Sequence, residues 1–153
     1  MKKFLLFPIL VLMTAVIMPA CSDDDKDKFP PETPEAATYT GTLIVNDSFT
    51  KENTDCEIIF NENGDKLTLK INGVKFAEAM PVTIDLSVED IPCTTENEKT
   101  IFSGNNIVPM MGVVPAENYT FSNINGSIEN SELKFNATLT KGSFTFSGVK
   151  IAE

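Results

Sequence analysis

Residues 132–148 read ELKFNATLTKGSFTFSG, and this stretch decides the fold class. Every second residue of 132–139 is apolar, and Phe144 and Phe146 repeat that spacing after Lys141-Gly142. Successive side chains of a β-strand point to opposite faces, so this alternation gives a strand one buried face and one solvated face. The stretch therefore predicts two antiparallel strands joined by a tight turn at Lys141-Gly142.

The same period of two recurs along most of the chain. It is found in TYTGTLIV (38–45), CEIIF (56–60), KLTLKI (66–71) and VTIDLSV (82–88). Asn-Gly pairs at 63–64, 72–73 and 125–126 indicate tight turns, and Gly148 indicates a bulge where the alternation shifts. No segment has a helical period of useful length. We expect an all-β domain of about eight antiparallel strands, either an up-and-down barrel or a β-sandwich. The sequence favours the barrel because the immunoglobulin sandwich usually contains a core Trp, which is absent here.

The composition excludes several classes of function. The chain contains no His, no Arg and no Trp, and its net charge is −10. Without His, neither a Ser-His-Asp nor a Cys-His catalytic site can form, and three cysteines cannot make a Cys₄ zinc site. An acidic chain without Arg also repels nucleic acid. We expect no catalytic residue, no metal, no cofactor and no nucleic-acid partner, and therefore no enzyme activity.

The N-terminus has the pattern of an export signal. Residues 1–20 begin with Lys2 and Lys3 and continue with a short apolar run, which is typical of a signal peptide. The following Met18-Pro19-Ala20-Cys21 resembles the lipobox of bacterial lipoproteins, although Met18 and Pro19 replace the more usual residues. The resemblance implies that Cys21 carries a lipid anchor and becomes the mature N-terminus.

The residues after Cys21 indicate a destination. Ser22, Asp23, Asp24 and Asp25 resemble the export signal of Bacteroidetes lipoproteins that face the cell exterior. This resemblance implies a protein anchored in the outer membrane and facing outward, with the periplasmic face as the alternative. Residues 21–37 form an acidic and Pro-rich linker between the anchor and the folded part.

The folded part, residues 38–153, resembles a known family. TYTGTLIV (38–45), the strands between residues 66 and 91, TIFSG (100–104) and INGSIENSELKFNATL (124–139) are similar to the calycin-like, or lipocalin-like, β-barrel domain of Bacteroidetes lipoproteins. The resemblance covers nearly all of the mature chain and contains no catalytic motif. It implies a barrel that holds a small apolar ligand, whereas the number of strands alone also allows a filled interior.

Cys56 and Cys93 lie at positions with the same parity as buried apolar neighbours. Outside the cytoplasm two such thiols can form a disulfide. The alternative is two separate thiols that pack as small apolar groups. The sequence leaves both open.

Residues 105–119, NNIVPMMGVVPAENY, form an apolar segment interrupted by two prolines and a glycine. A long regular strand is excluded there because proline cannot donate a ladder hydrogen bond. The segment is either a Met-rich lip at the barrel mouth or a plug inside the barrel. If it is a lip, Met110 and Met111, together with Phe76 and Met80, are the candidate ligand-binding residues.

Two functions remain open from the sequence. The first is a cell-surface lipoprotein whose barrel binds a small apolar or glycan-derived ligand. The second is a non-enzymatic structural or interaction lipoprotein with a filled barrel, which contacts a surface protein partner.

Overall fold

A computed structural model of the chain describes residues 36–152. The predicted signal peptide, Cys21, the acidic residues 22–25 and the linker up to residue 35 lie outside the described residues. Within residues 36–152 no helix has the length and apolar character that a membrane span requires.

The described residues form ten β-strands and one short 3₁₀ turn, Glu117–Tyr119, and no α-helix occurs among them. The predicted all-β class is confirmed. The strands are β1 (Ala36–Val45), β2 (Phe49–Phe60), β3 (Lys66–Val74), β4 (Ile84–Glu96), β5 (Lys99–Gly104), β6 (Met110–Met111), β7 (Val114–Pro115), β8 (Phe121–Glu129), β9 (Glu132–Leu139) and β10 (Gly142–Lys150).

Eight of these strands close into an antiparallel up-and-down barrel. The hydrogen-bonded order is β3-β2-β1-β10-β9-β8-β5-β4, and β3 also pairs with β4. That last pairing makes the sheet a barrel and not a sandwich, because it leaves neither β3 nor β4 as a free edge of the eight-stranded wall. The barrel prediction is confirmed, and β6 and β7 are additional strands outside the wall.

Large apolar side chains fill the barrel. Five phenylalanines are fully buried, and they are joined by buried leucine, isoleucine or valine side chains from β1, β2, β3, β4, β8 and β9. The two strands predicted from the alternating stretch are confirmed, and its apolar residues on β9 and β10 all point inward. The turn between them is formed by Thr140 and Lys141, whereas Gly142, predicted in the turn, is the first residue of β10. The buried phenylalanines are Phe102, Phe121, Phe135, Phe144 and Phe146.

Two of the three predicted Asn-Gly turns are wrong. Asn63-Gly64 does form the turn between β2 and β3. Asn72-Gly73 instead lies within β3 at an irregularity in its pairing with β4, where Gly73 has a φ of 65°. Asn125-Gly126 lies in the middle of β8, with Gly126 directly opposite Phe102. The positive φ that Asn-Gly favours suits a bulge as well as a turn, and a glycine also permits a close approach by an aromatic ring.

Two further local predictions need correction. The strand predicted from residue 82 begins at Ile84, and Val82 is 59% exposed in the loop that follows Pro81. Gly148 is not a bulge, since its pairing with both β1 and β9 is regular. Gly148 lies opposite Gly41, and the two strands approach each other closely at that point.

Candidate functional site

The two ends of the barrel differ in the length of their connections. One end carries the start of β1, the end of β10 and the short turns 61–65, 97–98 and 130–131. The opposite end carries the long connections 75–83 and 105–120. Because antiparallel strands alternate in direction, the two long connections emerge at the same end of the barrel. The candidate ligand-binding residues predicted from the sequence all lie on these connections.

Aromatic residues close the long-loop end of the barrel. Phe76 stacks on Tyr119 with ring centroids 4.8 Å apart and contacts Phe144 at 5.4 Å. Phe144 in turn meets Phe121 edge to face at 6.2 Å. The ring of Phe76 therefore packs onto the core at the long-loop end of the barrel. A ligand-binding barrel would have its open mouth at this position.

The predicted methionines take no part in this aromatic cluster. Met80 lies in the loop 75–83, where its backbone N–H donates to the carbonyl of Ala77 at 3.1 Å. Met110 and Met111 form β6 on the outside of the wall. The structure thus distributes the four candidate residues over the barrel end and the outer surface, and does not gather them around one interior site.

The segment 105–116, here called the apolar finger, is not a plug inside the barrel but an ordered hairpin beside the wall. It leaves the wall after β5 and turns back through the β6–β7 hairpin. Met110 pairs with Ser87 of β4, and Ile107 forms a two-way backbone bridge with Phe121 at 3.0 and 2.8 Å. Gly112, with a φ of 62°, makes the hairpin turn. The tip of the finger projects into solvent, with Val113 90% exposed.

A groove of about 350 Å³ runs along the outer wall beside the finger. In the strand register Lys70, Ser87 and Met110 form one line across β3, β4 and β6. Asp85 and Glu89 lie two positions to either side of Ser87 on β4. The residues that line the groove are Glu57, Lys70, Asn72, Asp85, Leu86, Ser87, Glu89, Met110 and Gly112.

Hydrogen bonds fix part of this groove. The Lys70 ammonium lies 3.4 Å from one oxygen of Glu57, and the Asn72 amide donates to the other oxygen at 3.2 Å. Asp85 accepts a hydrogen bond from the backbone N–H of Gly73 at 2.6 Å. Glu89 is exposed and has no ion-pair partner among residues 36–152. The single lysine of the groove is therefore already engaged, and the groove has a net negative charge.

Two other depressions lie on the outer surface. One, also of about 350 Å³, is lined by Thr94, Glu96, Lys99, Ile101 and Glu129, and it contains the 3.1 Å ion pair of Lys99 with Glu129. The other, of about 230 Å³, lies over β8, β9 and β10. In the described part of the chain, no group of three or more His, Cys, Asp or Glu side chains is arranged to hold a metal ion.

The two cysteines are separate free thiols, which is the second of the two alternatives left open by the sequence. Cys56 pairs with Ile71 on β3, whereas Pro92, the neighbour of Cys93, pairs with Lys66 at the start of β3. Lys66 and Ile71 are five positions apart on this strand, a distance of about 16 Å, whereas a disulfide needs Cα atoms within about 7 Å. The disulfide between Cys56 and Cys93, one of the two alternatives that the sequence left open, does not form.

Neither thiol has the surroundings of a nucleophile. Burial is the main cause that raises the pKa of Cys56 far above its ordinary value, and the Asp55 carboxylate beside it adds to the effect. Burial and then Asp65 raise the pKa of Cys93 as well, and its thiol lies 3.5 Å from the carbonyl oxygen of Gly64. Reactive cysteines need a lowered pKa, so both side chains are built as packing groups.

We expect iodoacetamide to modify Cys93 in the native protein at least about tenfold faster than Cys56, because Cys56 is released only by unfolding of β2. Tryptic peptide mapping checks this, since the two residues fall in different peptides, 52–66 and 76–99. Both cysteines should react in denaturant. Equal rates in the native protein, or a peptide pair linked by a disulfide, would contradict the placement of these thiols.

Comparisons with models of protein families, with curated proteins and with solved structures found no match. The fold therefore stands on its own geometry, an eight-stranded closed antiparallel barrel that is compatible with a calycin-like fold.

No pattern in the sequence predicts the groove. Asp85 and Ser87 are the polar side of the predicted strand 82–88, a pattern that any half-solvated strand shows, and Glu89 lies just beyond that strand. The available signal was the apolar segment 105–119, which predicted an unusual loop but not the strand beside which it packs.

Proposed function

We propose that this protein is a lipid-anchored surface lipoprotein whose calycin-like barrel is a non-enzymatic module for binding a partner through its outer surface. The filled interior is the observation that carries the proposal. Fourteen phenylalanine, leucine and isoleucine side chains inside the barrel are at most 1% exposed. A ligand in the interior would have to displace them, and the cost of rearranging a close-packed core opposes this.

The closed end of the barrel supports the same reading. Calycin-type carriers admit a ligand through an open mouth, whereas here Phe76 and Tyr119 stack over the core. The outer surface offers the grooves instead, and the largest exposed apolar segment, the finger, lies beside one of them.

The location remains a proposal from the sequence. Cys21 as the lipidated residue supplies the membrane anchor, and Ser22 together with Asp23, Asp24 and Asp25 supplies the outward address. A stable membrane anchor needs more than one acyl chain. The lipobox resemblance implies that Cys21 carries such an anchor. The outer face of the outer membrane is the proposed destination, with the periplasmic face as the alternative.

Native mass spectrometry of the protein purified in mild detergent from its own host tests the proposal. We expect one species, with the mass of residues 21–153 plus covalent acyl groups, and no non-covalent small molecule. The Cys21→Ser variant is the control, and it should lose the acyl mass and the membrane attachment. A small molecule released on denaturation would contradict the filled barrel, and unmodified Cys21 in the wild-type protein would contradict the anchor.

A further inference from the structure

The apolar finger has an unusual surface for an acidic protein. Residues 105–116 contain no charged side chain in a chain of net charge −10. Four of its apolar side chains are exposed within seven positions, although exposed apolar residues on a soluble protein are normally scattered singly. They are Val108, Met111, Val113 and Val114.

The finger is also held in one conformation before any partner arrives. Pro109 and Pro115 fix their own φ angles, and the Ala116 backbone N–H donates to the carbonyl of Pro109 at 2.8 Å across the hairpin. The bridge between Ile107 and Phe121 ties its base to the barrel. A rigid apolar projection loses little conformational entropy on binding, which is a property of good interface anchors.

The charge of the groove beside the finger indicates which charge a partner should carry there. Its carboxylates are Glu57, Asp85 and Glu89, and its one cation, Lys70, is paired with Glu57. Glu89 and the second carboxylate oxygen of Asp85, whose first oxygen accepts from the Gly73 N–H, are therefore available to a basic side chain, and an acidic partner would be repelled. The volume of about 350 Å³ is in the range of sites that hold small ligands or a few side chains.

Resting on the function proposed above, we propose that the finger and this groove form a docking surface for an extended segment of a partner protein, one that carries a lysine or arginine between apolar residues. The basic side chain lies in the groove between Asp85 and Glu89. The apolar neighbours pack on Val113 and Met111 of the finger.

Two other occupants fit this surface less well. A second copy of the chain brings the same acidic groove, so that two copies repel each other there. A lipid bilayer is contacted by segments with aromatic residues and flanking lysines, and the finger has neither.

A phage-displayed library of random twelve-residue peptides, selected on the detergent-solubilised full-length protein, tests the proposal. We expect the enriched peptides to carry Lys or Arg next to apolar residues. Val113→Asn should weaken binding of a selected synthetic peptide about tenfold, as measured by calorimetry, because burial of one valine is worth about 1.5 kcal/mol. Val149→Asn is the matched control, since Val149 is 61% exposed on β10, and it should leave binding unchanged.

Charge is tested in the same assay. The Asp85→Asn/Glu89→Gln double variant should weaken binding and flatten its dependence on salt between about 50 and about 300 mM, over which screening increases. Loss of enrichment, enrichment of acidic peptides, or equal effects of Val113→Asn and Val149→Asn would each overturn the docking surface. Finger-dependent self-association in sedimentation, or binding to phosphatidylcholine vesicles without any peptide binding, would overturn it in favour of another occupant. None of these results depends on the native mass of the protein, so failure of the docking surface and failure of the filled-barrel proposal are distinguishable.

Discussion

Replacement of Gly41 by alanine is expected to prevent the barrel from closing between β1 and β10. A Cβ atom at residue 41 would overlap the carbonyl oxygen of Ser147 and the Cα of Gly148, and it would lie 2.7 Å from the Ser147 carbonyl carbon. All of these are backbone atoms, so no side-chain rotation relieves the clash. The pairing of β1 with β10 is one of the strand pairings that close the wall, so in the variant these two strands must separate or shift register.

We expect the Gly41→Ala protein to lose at least about 3 kcal/mol of its free energy of unfolding, a large part of the 5–15 kcal/mol that stabilises an ordinary domain. Urea denaturation followed by far-UV circular dichroism measures the loss. Gly64→Ala is the matched control, because a Cβ there meets nothing within 4 Å and only the φ of 70° opposes it. That control should lose only about 1 kcal/mol. Similar midpoints for the two variants would contradict the close approach of β1 and β10.

The sequence could predict the strand around Gly41 but not the requirement for glycine in it. The strand follows from local alternation, which is a property of neighbouring residues. The requirement follows from Gly148, which lies more than a hundred positions along the chain and meets Gly41 only when the barrel closes. Glycine is required at residue 126 for a similar reason, because the ring of Phe102 occupies the space that a side chain there would need.

The candidate site was less predictable than the fold for a similar reason. Residues 105–119 are apolar, and their prolines exclude a long strand, which the structure confirms with two strands of two residues each. The prolines do not indicate that Met110 pairs with Ser87. That pairing depends on β5, which ends at Gly104 and leaves part of the edge of β4 free. Periodicity likewise gave Cys56 and Cys93 a shared parity, whereas only the register shows how far apart they lie.

Truncation of Phe144 to alanine should both destabilise the barrel and give it the internal site that the wild-type protein lacks. The Phe144 side chain is 1% exposed and links Phe76 of the closing cluster to Phe121 of the core. Its loss should lower the free energy of unfolding by about 3–5 kcal/mol, which combines lost apolar burial with the cost of a cavity. A cavity lined by Phe76 and Phe121 is apolar and should remain free of water.

Benzene is the probe for that cavity, and its binding can be measured by the rise in thermal midpoint that a ligand specific to the folded state produces. We expect benzene to stabilise the Phe144→Ala protein and to leave the wild-type protein unchanged, because the wild-type interior is already occupied. Phe60→Ala is the control, since Phe60 is only partly buried against the core and its removal opens a surface notch instead of an enclosed space. Stabilisation of the wild-type protein by benzene would show that the barrel already holds an accessible internal cavity. The barrel would then have to be reconsidered as a carrier of small apolar ligands, and Phe76 would be a movable residue at its entrance instead of a fixed closure.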